Sequence, residues 1–402
     1  MGDKVSKFNS IIEYSIVLFM LILSGSIIPF VFFEGYSQLL LIFSLLLGVY
    51  FFIKLFKIRL KTESILFFLF VMIFLILHAV TKSSNEYLST YVGLILRFII
   101  AFFITTIIKI DSFLKKFIDL MIIIVAISLI FYFIGILYPE FIMRLPVSYN
   151  DVGTSYGCAY IYFYQGAAYW NYRNCGIFWE GGAFSVFINI ALLFRLFYFK
   201  QCHGKKYLIG TGILILGVLT TISTVGIFIL AVLIFLTIQE KKFIFRYVFY
   251  FFSLIFIIAS GMVEKLLINK FSNMGSSGSE RLAGIFADID IFLHYFITGA
   301  GFDYIDLNFD KLAVSYGAVI PSSTNSFTRS LALYGIIFTT IVSVLLFKLF
   351  VKIHNGIKYQ ILLTSSFILL LCTQVVIFQL LFICFMFYGT NITQDNKTKV
   401  FV

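Results

Sequence analysis

The amino-acid sequence predicts an all-α integral membrane protein, a single polytopic domain over residues 1–402 with about 11 or 12 membrane-spanning helices. Three observations predict this class: a strongly apolar composition, apolar residues gathered into runs of membrane-spanning length, and basic residues concentrated in alternate short loops. Two much longer loops lie between the runs on the opposite side. The chemistry of the protein is therefore expected in those two loops.

The composition places the chain outside the range of soluble domains. Hydrophobic residues make up 61% of the chain and charged residues 12%, whereas soluble domains have about 45–50% and about 25%. Lipid is therefore expected to be its main solvent. The five cysteines lack CxxC or Cys/His metal-binding spacing. Only Cys158 and Cys175 share a long loop, which makes them the one candidate disulfide pair.

The apolar runs define the expected helices, because most are long enough to cross a bilayer core of about 30 Å. The first run is too long for a signal-peptide core and is expected to remain as a helix. The last run is either one tilted helix or two short ones broken near Thr373 and Gln374, and we favour the second reading, which makes twelve spans. The runs cover about residues 11–33, 38–56, 64–80, 91–108, 117–138, 177–199, 207–222, 224–239, 243–260, 328–348 and 359–388.

The distribution of charge orients the chain. The net charge is +11, but most Lys and Arg lie in short connections on one side of the expected topology. This is the positive-inside pattern of a cytoplasmic face and not a nucleic-acid-binding surface. The N-terminus is therefore expected in the cytoplasm, and the long loops, about residues 139–176 and 261–327, on the outer face. The basic connections are residues 54–61, 109–116, 200–206, 239–246 and 348–358.

The first long loop ends in an unusual group of charged and aromatic residues beside a membrane helix. Arg173, Trp179 and Glu180 stand among glycines in YWNYRNCGIFWEGGAF. Near the bilayer surface the planar guanidinium of Arg173 suits a diphosphate, and the reduced dielectric strengthens the attraction. The alternative is that Arg173 reaches lipid head groups, Glu180 pairs with it, and the aromatic residues form an interfacial belt.

The second long loop brings another arginine to the same compartment. A Gly/Ser-rich stretch precedes Glu280 and Arg281, which begin an amphipathic segment. Further along, Asp288, Asp290 and His294 are either part of a substrate site or the solvated edge of an interfacial helix.

Polar and ionisable residues also occur at and within the expected spans. Asn325 and Arg329, in SSTNSFTRSLALYG, are placed to bind sugar hydroxyls or phosphate oxygens, although Asn at this position is also typical of helix N-capping. His78 and Arg97 lie in or near apolar runs, where an ionisable group is costly and marks function by default. The sequence has no GxxxxGK[ST], HExxH, EF-hand or GxSxG pattern, so nucleotide hydrolysis, zinc hydrolysis and serine esterase chemistry lack support.

Several of these segments together resemble the O-antigen polymerase (Wzy) family, within the O-antigen ligase and polymerase superfamily. The end of the first long loop is similar to the family signature R-x-x-G-x-F-x-E-P. Four later segments follow in the family's order, so the resemblance spans most of the chain. The signature residues are Arg173, Gly176, Phe178, Trp179 and Glu180, and the later segments are STVG (223–226), Arg281, GAGFDY (299–304) and TNSFTRSLALYG (324–335).

Two departures from the family pattern bear on the choice within the superfamily. Gly181 stands in place of the usual proline, so the family pattern leaves the geometry of the turn before the helix open. Thr324 stands where the ligase branch typically has a histidine before the asparagine. The second departure favours a polymerase over a ligase.

The resemblance implies a GT-C-like fold and an inverting, metal-independent glycosyltransferase with no cofactor. Its substrate would be an undecaprenyl-diphosphate-linked oligosaccharide at the outer face of the bacterial cytoplasmic membrane. A chain-length regulator membrane protein is a further candidate partner, and no nucleic acid is expected. Arg173 and Arg281 would stabilise the diphosphate, while Glu180 would act as a general base or orient Arg173. We expect the substrate contacts to include Asn325, Arg329, Trp179 and His294.

Two other functions remain as alternatives at this point. An O-antigen ligase would use the same lipid-linked donor. A flippase or transporter of the lipid-linked unit would also bind a diphosphate, but it would place its charges in a cavity at the membrane midplane. Here the charged candidates lie in the long loops, which favours the enzyme.

Overall fold

The structure of the protein is a computed structural model. It describes residues 2–32, 36–55, 60–149, 155–159, 162–165, 173–199, 204–239, 277–351 and 356–390. The expected span at 243–260 and the first part of the second long loop, 261–276, lie outside these ranges.

The described residues are mostly helical, as the sequence predicts. Six of the described helices are long and apolar enough to cross a membrane: Tyr36–Lys54, Thr62–Lys82, Leu88–Ile107, Ile110–Leu137, Ser326–Phe350 and Gly181–Tyr198, the last of which ends in a π-helical turn (Phe194–Tyr198). These six candidate spans are what a multi-pass membrane protein requires. The helices are α1 (Gly2–Ile22), α2 (Ile28–Phe32), α3 (Tyr36–Leu55), α4 (Thr62–Lys82), α5 (Leu88–Ile107), α6 (Ile110–Leu137), α7 (Pro139–Met143), α8 (Gly181–Leu193), α9 (Lys205–Thr220), α10 (Thr224–Gln239), α11 (Ser277–His294), α12 (Gly301–Ser315), α13 (Ser326–Val351), α14 (Ile357–Leu371) and α15 (Leu380–Thr390).

A small antiparallel sheet occupies part of the first long loop, and the sequence reading did not predict it. Its three strands lie side by side in chain order, and their aromatic residues favour a pleated, half-buried surface. Cys158 and Cys175 are free thiols, so the candidate disulfide was wrong. Pairing within the sheet satisfies backbone groups that a long loop would otherwise leave exposed. The strands are β1 (Val147–Tyr149), β2 (Ser155–Ala159) and β3 (Tyr162–Gln165).

The last apolar run forms two helices, which is the alternative that the sequence analysis favoured over one tilted helix. Helix α14 ends at Leu371 and α15 begins at Leu380. Residues 372–379, called the break segment below, join them at the end of the bundle that also carries the sheet, α11 and α12. We call this the sheet-bearing end.

Side chains from several helices bind the backbone of the break segment. Ser326 Oγ accepts hydrogen bonds from the N–H groups of Val376 (2.9 Å) and Ile377 (3.3 Å), and it donates to the Gln374 carbonyl. Arg97 Nη1 donates to the Phe378 carbonyl at 3.4 Å. Non-helical backbone inside a membrane protein is tolerated only where such partners satisfy it.

Helix α15 lies at the centre of the bundle. Each of its residues from Leu380 to Thr390 is buried, and the helix packs mainly against α13 and α5. A helix that is apolar on all sides is expected in such a position. The closest approach is at Gly389, where an added Cβ would lie 2.0 Å from the Leu345 carbonyl oxygen of α13.

Gly389→Ala is therefore expected to push α13 and α15 apart and to lower the free energy of unfolding by about 1–3 kcal/mol, the usual cost of overpacking. Gly93→Ala is the matched control, because a Cβ at Gly93 in α5 meets nothing within 4 Å. That substitution should be neutral or stabilising by up to about 1 kcal/mol. Thermal unfolding of both variants in detergent checks this, and equal stability would contradict the packing described.

Candidate functional site

The candidate site lies at the sheet-bearing end, where the two long loops meet the break segment. Arg281 in α11 donates from Nη1 to the carbonyl of Thr373 at 3.2 Å. The side-chain amide of Gln374 donates to Oε1 of Glu180, the residue that precedes α8. Two consecutive residues of the break segment therefore contact charged groups from both long-loop regions.

Arg173, Glu180 and Arg281 are electrostatic neighbours. Burial lowers the pKa of the half-buried Arg281 guanidinium, the nearby Glu180 carboxylate raises it, and the Arg173 guanidinium lowers it further. The Arg281 guanidinium therefore lies in the field of both the Glu180 carboxylate and the Arg173 guanidinium. A guanidinium stays charged at neutral pH. Two like charges kept this close favour an anion between them.

Asn174 fixes the chain next to Arg173. Its amide is buried and donates to the hydroxyls of Ser128 in α6 and Thr220 at the end of α9, each at 3.0 Å. Its Oδ1 accepts the N–H of Gly176 at 3.1 Å. Asn174 thus ties the first long loop to two helices, while the adjacent Arg173 stays exposed.

Gly181, at the start of α8, stands where the family signature has proline, and its surroundings in the structure show why a glycine fits there. A Cβ at Gly181 would lie 2.9 Å from the Thr221 carbonyl oxygen, in the turn between α9 and α10. Any larger residue, proline included, would press on this turn. Glu180 is the N-cap of α8, yet its carboxylate makes no capping hydrogen bond to the helix. The carboxylate is directed to Gln374 instead.

Asn325 is a helix cap in the structure. Its Oδ1 accepts the N–H groups of Phe327 at 2.9 Å and Thr328 at 3.3 Å, which is the N-capping geometry at the start of α13. The side chain is also largely buried. A contact between Asn325 and a substrate stays a prediction.

Arg329 and Asp288 form a partly buried ion pair that joins α13 to α11. Arg329 Nη1 lies 3.2 Å from Asp288 Oδ1, and its guanidinium stacks on the Phe309 ring with 4.7 Å to the centroid. Asp288 also accepts hydrogen bonds from Ser323 (2.7 Å) and Thr328 (3.2 Å). The solvated-edge alternative therefore does not hold for Asp288, which is fully buried.

The pKa of the Asp288 carboxyl is raised above its ordinary value. Burial is the largest cause, and it outweighs the opposing effects of Arg329 and of the hydroxyls of Ser323 and Thr328.

Gly284 lies three residues after Arg281, and Asp288 lies four residues after Gly284, so all three residues lie on one face of α11. This face packs on the segment before α13, where a Cβ at Gly284 would lie 2.2 Å from the Ser322 carbonyl oxygen.

His294 and Trp179 lie at other places in the structure. The His294 side chain is 70% exposed and pairs with Asp290 in its own helix, as the solvated-edge alternative describes. The Trp179 ring is half-buried and packs against Gly25 after α1, where a Cβ would lie 2.2 Å from it. Its carbonyl accepts the Tyr156 hydroxyl at 3.0 Å. Substrate contacts by these residues stay predictions.

His78 and Arg97, which lie in or near expected spans, both have partners. The ring nitrogens of His78 bond the Tyr91 hydroxyl at 2.7 Å and the Thr298 carbonyl at 2.9 Å. Arg97 stacks on the Tyr36 ring, 4.8 Å from its centroid, besides its bond to the break segment. Both residues therefore have a structural explanation. Within the described ranges, no three His, Cys, Asp or Glu side chains come close enough together to bind a metal ion.

Comparisons with known proteins gave no match to the chain. No protein-family model matches the chain, and no curated protein or solved structure is similar to it. A proposal of function therefore depends on the residues of the chain itself.

Sequence reasoning missed the residues that hold the site together. Asn174 and Gln374 are uncharged and match no motif, and the reading used Gln374 only to locate a helix break. Asp288 did carry a signal, because it lies seven residues after Arg281 on the same helical face.

Proposed function

We propose that the chain is a polysaccharide polymerase that joins lipid-diphosphate-linked oligosaccharide units. The observation that carries the proposal is that Arg281 and Glu180, from separate long-loop regions, contact the adjacent residues Thr373 and Gln374, with Arg173 near enough to lower the pKa of Arg281. Such a site suits a diphosphate, whose several oxygens accept paired hydrogen bonds from guanidinium groups. The resemblance of the first-loop signature to the O-antigen polymerase family supports the same function.

In the proposed reaction an acceptor sugar hydroxyl attacks the anomeric carbon of the growing chain. The new carbon–oxygen bond forms as the bond to the lipid diphosphate breaks, and the diphosphate leaves with the electron pair. Arg173 and Arg281 stabilise the charge that develops on it. The proton of the hydroxyl passes to a base. Glu180 either accepts this proton or orients Arg173, and both roles fit its position beside Gln374.

We place the site at the outer face of a bacterial cytoplasmic membrane, with the N-terminus in the cytoplasm. Support comes from the charge pattern, because the basic connections alternate with the segments that build the sheet-bearing end. The lipid-linked unit is the proposed substrate. A membrane protein that regulates chain length is the proposed partner.

A ligase and a flippase are distinguished from a polymerase by deleting the gene and measuring surface glycan size together with the lipid-linked pool. Loss of a polymerase is expected to leave single repeat units on the final acceptor. Loss of a ligase would leave long chains on the lipid diphosphate, and loss of a flippase would trap units inside the cell. Either of the last two outcomes would contradict the proposal.

A further inference from the structure

An apolar groove of about 470 Å³ lies between the first half of α4 and the second half of α13. Both helices pack on α15, whose Thr390 lies at the floor of the groove. Its walls include Leu66 and Val344, which are 62% and 55% exposed, so the groove opens toward the surrounding lipid. Because α4 ends beside α12 at the sheet-bearing end, the groove lies at the opposite end of the bundle.

The length of the groove matches one leaflet of a bilayer. The groove runs along α4 from Glu63 to Phe70 and along α13 from Lys348 to Thr340. At a rise of 1.5 Å per residue these stretches are about 10–12 Å long, whereas half of a hydrocarbon core is about 15 Å. Toward the sheet-bearing end the groove is closed, because the Phe70 ring stacks on the Phe338 ring with 6.2 Å between centroids. A membrane-spanning helix of a partner needs about twice this length, so the groove suits an acyl chain instead.

One acidic and one basic side chain stand at the open end of the groove. Glu63 and Lys348 are exposed and both line it, and no salt bridge joins them in the part of the chain that the structure describes. The helix dipole favours an acid in the first turn of α4 and a base in the last turn of α13, but it does not explain why both charges line the same groove. Together they match the ammonium and phosphate groups of a zwitterionic lipid.

We propose that this groove binds one phospholipid with an amine-bearing head group, of the phosphatidylethanolamine type. Its acyl chain lies between α4 and α13, its phosphate contacts the Lys348 ammonium, and its own ammonium group donates to the Glu63 carboxylate. In the orientation proposed above, this lipid belongs to the cytoplasmic leaflet. The inference does not rest on the polymerase, because the groove and the candidate site lie at opposite ends of the bundle.

The head group decides which lipid binds, because the acyl chains of a bilayer are as apolar as the side chains that line the groove. Phosphatidylethanolamine and phosphatidylglycerol both offer a phosphate to Lys348, but only the first offers an ammonium group to Glu63. The wild-type protein should therefore bind phosphatidylethanolamine about two- to fivefold more tightly, the effect of one exposed ion pair.

Substitutions of the two charged residues separate their roles. Glu63→Gln should abolish the preference between the two lipids, because it removes the partner of the ammonium group. Lys348→Gln should weaken the binding of both lipids and keep the preference. The matched control is Glu86→Gln, since Glu86 is an exposed glutamate in the connection that follows α4 at the other end of the bundle. It should bind both lipids like the wild type.

A third substitution tests the place of the acyl chain. Val344→Trp puts a large ring into the groove and should cause the loss of the bound lipid. Ile123→Trp is its control, because Ile123 in α6 lies outside the groove and is 54% exposed, against 55% for Val344. Both residues are exposed, so neither ring has to enter the packed core.

The test is native mass spectrometry of the full-length protein in detergent with equal amounts of the two lipids, which gives a dissociation constant for the first bound lipid of each kind. Equal binding of the two lipids by the wild type would overturn the inference, as would an unchanged preference in Glu63→Gln. Equal lipid loss in Val344→Trp and Ile123→Trp would also overturn it. A dimer of the chain that binds no lipid would assign the groove to a second copy instead.

Discussion

Arg281→Ala and Arg173→Ala are each expected to lower chain extension at least about 100-fold, the usual cost of losing one charge-stabilising donor at a reacting centre. Each guanidinium is expected to stabilise the departing diphosphate, and neither can replace the other because they reach it from different segments. Both variants should still be inserted, since Arg173 is exposed and the Arg281 side chain makes one hydrogen bond to a carbonyl. Glycan length on gels and protein abundance in membranes measure the two effects.

Lysine substitutions sharpen this test. Arg173→Lys and Arg281→Lys keep the charge but lose the planar fork of donors, so only partial recovery is expected. Arg144→Ala is the matched control, because Arg144 is an exposed arginine just before β1 at the same end of the bundle. Normal long-chain polysaccharide from either site alanine variant would refute the assignment, as would an equal loss in Arg144→Ala.

Asp288→Ala is expected to have the largest effect on stability. The carboxylate is fully buried and bonds Arg329, Ser323 and Thr328. Its removal leaves the Arg329 guanidinium, whose side chain is 22% exposed, without its ion partner. Breaking a buried pair in this way costs about 3–5 kcal/mol. The expected result is a protein in which α11 separates from α13, with Arg281 displaced.

The buried cysteines allow the loss of stability to be measured. Cys175 and Cys384 are 1% and 0% exposed, so a thiol-reactive dye should label them only as the protein unfolds on heating. Asp310→Ala, at an exposed aspartate on α12, is the control and should unfold like the wild type. The double variant Asp288→Ala/Arg329→Ala should lose less stability than the sum of the single changes. Additive losses would contradict a direct pair.

The raised pKa of Asp288 gives the same pair a pH dependence. Because burial raises the folded-state pKa above the ordinary value of 3.8, the folded protein binds the proton more tightly than the unfolded chain. The free energy of unfolding should therefore fall as the pH rises from about 3.8 through the raised value. Asp288→Asn should flatten this part of the curve, and an unchanged slope would assign it to other groups.

The membrane class could be read from the sequence with little ambiguity, and so could the positions of the charged residues beside the spans. Spans are visible because a bilayer imposes one length on every apolar run, and charged residues stand out where lipid makes them costly. On these grounds Arg173, Glu180 and Arg281 were expected to share one site, and the structure has them as electrostatic neighbours.

The uncharged parts of the site were not readable in this way. Gln374 and Asn174 act through hydrogen bonds to residues far away in the chain. The substrate contacts assigned to Asn325 and Arg329 stay predictions, and the structure adds roles that the sequence did not decide: Asn325 caps α13, and Arg329 pairs with Asp288. A polar residue at a helix start fits either role, and the choice depends on what a distant helix places opposite it.

Sequence alone determined three things: that this chain belongs in a membrane, the positions of its apolar runs, and the charged residues beside those runs. All three depend on the transfer of residues from water to lipid, and so on local composition. Only the tertiary structure decided that the last run breaks into two helices. It alone decided, too, that the break segment contacts Arg281 and Glu180 through neighbouring residues. Such contacts are short-ranged and directional, so they exist only once distant helices have packed.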